Sequence, residues 1–85
     1  ISISYYAFLN CIKIKEIVGK ISYLGEGAFA NCISLINTGD YEGSGYASCA
    51  YYGCKNLKYI NVKEMRGMYS GFDRATSLEE VKIKE

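Results

Sequence analysis

The sequence predicts an α/β repeat fold rich in β structure: a right-handed solenoid of about four coils, with parallel strands and one short helical turn per coil. Three observations lead there. Four segments of the chain superimpose on one pattern, they recur every 21 or 22 residues, and none carries enough apolar surface to fold alone. The 85 residues are 49% hydrophobic and 22% charged, the composition of a folded chain and not of a disordered one. Residues 1–85 are read as a single solenoid segment, with repeats at approximately 1–19, 20–40, 41–62 and 63–85.

The superimposing segments are YAFLNCIKIKEI (6–17), GAFANCISLINT (27–38), AYYGCKNLKYI (50–60) and GFDRATSLEEV (71–81). After a small residue each carries an aromatic, Phe8, Phe29, Tyr51 and Phe72, at separations of 21, 22 and 21. Three residues on come Cys11, Cys32, Cys54 and Ala75. Ile14, Leu35, Leu57 and Leu78 follow, and then Ile17, Thr38, Ile60 and Val81. Like residues stacked rung on rung make ladders, so these four columns are the predicted core.

Each coil justifies its elements in turn. A short apolar stretch, expected as a minor strand, precedes each aromatic: Ile1 and Ile3, Ile21 and Leu24, Tyr46, and Met65 and Met68. The small-aromatic-x-x-Cys segment follows as a tight helical turn, because apolar residues recur there at three-residue spacing. The main strand comes last, in IKIKEIV, SLINT, NLKYINVK and SLEEVKIK, which are rich in β-branched and aromatic residues. Laid in register, these strands stack Lys15, Ile36, Lys58 and Glu79, then Glu16, Asn37, Tyr59 and Glu80. Val18, Gly39, Asn61 and Lys82 form the next column, and Lys20, Tyr41, Lys63 and Lys84 a mostly basic one. Opposite charges on neighbouring rungs, as at Lys58 and Glu79, support such a stack.

The pattern A-F-x-x-C-x-x-L-x-x-I resembles the BspA-like leucine-rich repeats of bacterial and protist surface proteins. GEGAFANCISL (25–35) carries the likeness most fully, and YYAFLNCIKI (5–14) follows it. The chain departs from the pattern in lacking proline, in the Gly, Ser and Tyr of TGDYEGSGYASC (38–49), and in Ala75 where cysteine is expected. The resemblance implies extracellular or cell-surface display and a binding or adhesive role toward a protein or glycan.

Other function classes lose ground on composition. A net charge of +1 lacks the footprint of a nucleic-acid binder, and no apolar run approaches the roughly 18–20 residues of a membrane span. With no histidine there is no Ser-His-Asp or Cys-His set, so no catalytic residue, metal or cofactor is expected. GEGAFA (25–30) and GSGYAS (43–48) mimic phosphate loops but do not open onto long helices. Glu79 and Glu80 point to opposite faces of a strand, and with Asp40 and Glu42 they read as solvated charge. Cys11, Cys32 and Cys54 read as buried thiols. Cys49 falls outside the register and is the one cysteine open to disulfide bonding.

Tyrosine is the compositional outlier, at nine of 85. Tyr51 and Tyr46 are expected inside; Tyr5, Tyr6, Tyr23, Tyr41, Tyr52, Tyr59 and Tyr69 have no required interior place. Tyr41 and Tyr59, with Lys20, Lys63 and Lys84, are the expected partner contacts, since tyrosine offers a rigid face with few rotors to freeze. Ile3, Phe8, Ile14 and Ile17 at one end, and Met68, Phe72, Leu78 and Val81 at the other, are expected to face water unless covered. A start at Ile1 suggests a processed or excerpted chain. Further repeats of a longer array, or identical subunits stacked end to end into a filament, would cover both ends.

Overall fold

The structure, a computed structural model, describes residues 1–43, 48–63 and 71–83. Six strands run through them: β1 (Ser2–Ile3), β2 (Lys20–Ile21), β3 (Tyr23–Leu24), β4 (Asp40–Tyr41), β5 (Tyr59–Val62) and β6 (Glu80–Ile83). All pairings are parallel. β2, β4, β5 and β6 form one sheet in that order, and β1 pairs with β3 in a second. Adjacent strands in the larger sheet therefore come from consecutive copies of the motif, as a repeat of this length requires. The minor strand at Ile3 and Leu24 is present, whereas Ile21 belongs to the main sheet; Tyr46, Met65 and Met68 lie outside the described residues.

The aromatic column is a continuous stack. Phe8, Phe29, Tyr51 and Phe72 follow one another with ring centroids 5.2, 5.6 and 5.5 Å apart and planes within 6° of parallel. That spacing suits offset stacking, worth about 0.5–1.5 kcal/mol per pair beyond the area buried. Tyr51 takes the aromatic place without stranding its hydroxyl, which donates to the Thr38 carbonyl at 2.9 Å. Next to the rings, Cys32 and Cys54 are buried, and each thiol donates to the carbonyl of an aromatic residue one copy back, Phe8 and Phe29, at 3.1 Å. Leu35, Leu57 and Ile60 are buried beside them, and Ile21, Leu24, Tyr41 and Val62 are buried along the strands. Thr38 sits there too, its hydroxyl accepting from the Asn61 N–H at 2.9 Å and donating to the Gly39 carbonyl at 2.9 Å.

The columns are not buried evenly. Phe8, Cys11, Ile14 and Ile17 in the first copy, and Phe72 and Ala75 in the fourth, are only partly covered. Leu78 and Val81, expected in the core, are 39% and 50% exposed. Among the described residues each belongs to a rung with a packed neighbour on one side only.

The expected helical turn is absent among the described residues; a chain of β-turns replaces it. N–H groups of Ala7, Leu9 and Cys11 bond three residues back, to Ser4, Tyr6 and Phe8. The alternate N–H groups of Tyr6, Phe8 and Asn10 reach across to the Glu26, Ala28 and Ala30 carbonyls at 2.8–2.9 Å. Gly27, Phe29 and Asn31 do the same toward Ser48, Ala50 and Tyr52. Two columns of left-handed residues impose this: Tyr6, Gly27 and Cys49, with φ of 55°, 61° and 56°, and Asn10, Asn31, Gly53 and Arg74, at 60°, 59°, 75° and 70°. A left-handed residue cannot continue a right-handed helix. Cys49 is therefore in register after all, at the position of Tyr6 and Gly27, and all four cysteines are free thiols.

Strand positions also shift. The Lys15, Ile36 and Lys58 carbonyls accept from Ile36, Lys58 and Glu79 N–H groups, as the expected column requires. Further along, Ile21, Tyr41, Val62 and Ile83 pair as one rung. Between these columns the chain takes six steps in the first copy (15 to 21) and five in the second (36 to 41). The third and fourth copies take four each (58 to 62, 79 to 83). The surplus bulges out at Val18, which is 84% exposed, and is absorbed at Gly19 and Gly39, with φ of 109° and 67°. A Cβ on Gly39 would lie 2.6 Å from the Ile17 side chain, so glycine is required there. IKIKEIV and SLINT accordingly form no continuous strand, and the Asn37 side chain, not a ladder carbonyl, accepts the Ile17 N–H at 2.8 Å.

Candidate binding face

A one-residue slip turns a side chain to the other face of a sheet, and here the slip redraws the expected contact surface. Tyr41 points inward and is buried, paired with Ile21 and Val62, so it is not a surface contact. Lys20 pairs with Asp40 in place of its expected column, whereas Asn61 pairs with Lys82 as expected. Lys63 is exposed one residue past the Tyr41 rung, and Lys84 lies outside the described residues. Among the described residues Lys20, Tyr41 and Lys63 do not share a column.

What does form is a groove of about 560 Å³ across the outer face of the main sheet, reaching all four copies of the motif. Tyr59 stands in it, 42% exposed, between the half-buried amides Asn37 and Asn61. The glycines of the two surplus segments leave part of its floor as bare backbone, and Val18 is among its lining residues. Asn37 is locked: its Oδ1 accepts from the Ile17 N–H at 2.8 Å and the Gly39 N–H at 3.2 Å, which leaves its amide donors turned to other uses. Charges at the two ends are paired off. Lys20 lies 3.8 Å from Glu42, and Lys82 lies 3.8 Å from Glu80. A smaller hollow of about 370 Å³ lies alongside, between Lys15 and Lys58 over Ile36, and there Lys58 meets Glu79 at 3.9 Å as the register predicted. These ion pairs are solvated and contribute little to stability, about 0–1 kcal/mol each.

Away from the sheet, Tyr5, Tyr6 and Tyr23 are exposed. The Tyr6 hydroxyl donates to Glu26 at 2.8 Å, and that carboxylate raises the phenol's pKa. Hydrogen bonding with Tyr5 does the same for Tyr23. Tyr52 is half-buried under the Arg74 guanidinium, 5.6 Å from its ring centre. Tyr69 and Tyr46 lie outside the described residues. Among the described residues no three His, Cys, Asp or Glu side chains are grouped to hold a metal ion, and no helix is long and apolar enough to cross a membrane. Glu79 and Glu80 pair with different lysines and do not converge.

Asn37, Asn61 and the glycine bulges are the groove's residues that spacing alone missed. Their signal was present in INTGDY (36–41) against KYINV (58–62), one residue longer between like positions.

Residues 1–85 match the family described as BspA type leucine rich repeat region (6 copies). The chain belongs to this family. Neither the curated proteins nor the solved structures yielded a match. BspA-type repeats point to a repeat module for protein binding or adhesion, and the family is generally non-enzymatic. In this BspA-type chain the parallel strands and stacked aromatic and cysteine columns are the physical form of the repeat.

Proposed function

We propose that the chain is a segment of a right-handed leucine-rich-repeat solenoid of about four coils, acting outside the cell as a non-enzymatic module that binds a protein or glycan. The family's typical association with bacterial surfaces supports the location. The observation that carries the binding role is the groove: an exposed ring and two amides on the face of a four-stranded parallel sheet. Beads coated with the chain should adhere to protein- or glycan-bearing surfaces, and Tyr59→Ala together with Asn61→Ala should abolish adhesion while thermal unfolding stays cooperative. Adhesion that survives both changes sinks this reading.

A second reading, end-to-end stacking into a filament, is favoured by one observation. Among the described residues Phe8 and Phe72 close the aromatic stack with one ring neighbour each, and Leu78, Val81 and Ile83 of the fourth copy are exposed. Sedimentation would show long polymers that Val81→Lys disperses; a monomer at high concentration counts against it.

A further inference from the structure

The groove across the main sheet restricts its own ligand, and the argument rests on the binding function proposed above. An extended peptide that joins a sheet does so at an unpaired edge, through main-chain hydrogen bonds. Here the groove lies on the face of the four-stranded sheet and not along an edge strand, and the Asp40 and Asn61 N–H groups within it are taken by the Gly19 carbonyl and the Thr38 hydroxyl. Recognition falls mainly to side chains, with bare backbone at Gly19 and Gly39 beneath them. Those in the centre are uncharged: the Tyr59 ring, the Asn61 amide, and the Asn37 amide held in one orientation by its two backbone donors. Two lysines and two carboxylates line the groove, Lys20 and Lys82 with Asp40 and Glu80, so a polyanion or polycation finds no net field of either sign there.

We propose that this groove binds a neutral oligosaccharide. The chemistry is matched on each count. A sugar ring presents a C–H face that stacks on a phenol, and Tyr59 offers its ring already held by a four-residue strand. Adjacent hydroxyls are donor and acceptor together, the complement of a side-chain amide. Val18, 84% exposed at the rim, adds an apolar contact for a second ring. The groove crosses four strands, about 14 Å at ordinary strand spacing, so it takes a short chain of sugars laid along the stack and not a single one.

The test is titration of the full chain with gluco-, galacto- and manno-configured neutral oligosaccharides, read by amide chemical shifts. The expected result is saturable binding of at least one, with shifts centred on Tyr59, Asn61 and Asn37. Tyr59→Ala should weaken it about tenfold, Tyr59→Phe should retain it, and added sodium chloride should leave it unchanged. Thermal unfolding of the variants establishes that the sheet is intact. Failure of every saccharide to bind, binding indifferent to Tyr59→Ala, or a steep loss with salt overturns the assignment. If coated beads still adhere through Tyr59 while no saccharide binds or competes, the sugar assignment falls and the binding function stands.

Discussion

Tyr51 shows how one side chain reconciles two demands. Its ring continues the stack between Phe29 and Phe72, and its hydroxyl, fully buried, finds the Thr38 carbonyl at 2.9 Å. The same contact ties the aromatic column to the strand side of the repeat. Tyr51→Phe keeps the stack but leaves that carbonyl short of a donor. Urea unfolding should report a loss of about 1–2 kcal/mol. Phe29 has no such hydroxyl to place, so Phe29→Tyr would have to bury an unpaired one. The column pattern identified both residues as core, yet only the neighbouring Thr38 explains why one is tyrosine.

The turn between the strands is governed by its backbone. Asn10, Asn31 and Gly53, each just before a cysteine, are the residue types that enter the left-handed region most readily, and Arg74 joins them at greater cost. Three-residue apolar spacing in the same stretch mimics a helix, which is why periodicity misled there. The dipeptides Asn-Cys, Asn-Cys and Gly-Cys carried the correction in the sequence itself. Asn31→Gly should therefore be nearly neutral in urea unfolding, while Asn31→Val should cost about 1–2 kcal/mol, because a β-branched residue at φ 59° clashes with its own carbonyl. Equal destabilisation by both would mean that the side chain, not the backbone, holds the turn.

Across the whole molecule, burial sets a common response to pH. The thiol of Cys54 is pushed up to about 12 from 9.0 by burial, and burial likewise raises Cys32 and carries the Tyr51 phenol well above its ordinary value. The folded chain keeps these protons at pH values where the unfolded chain releases them. Stability from this source is complete below the unfolded thiol value near 9 and is lost as pH rises toward 12. The urea midpoint should fall steadily above pH 9, and Cys54→Ala should lessen the fall.

The period of the repeat, the aromatic and cysteine columns and the parallel stacking are determined by the sequence alone. A motif that recurs every 21 or 22 residues cannot bury its apolar side except against its own copies. The contact surface is different. Whether Tyr41 faces solvent depends on one or two surplus residues between columns, and a constant-period alignment spreads that surplus evenly. Only the paired strands show it concentrated at Val18, Gly19 and Gly39. Tertiary structure decided that Tyr41 goes in and Tyr59 stays out, because alternation along a strand turns each single-residue slip into a change of face.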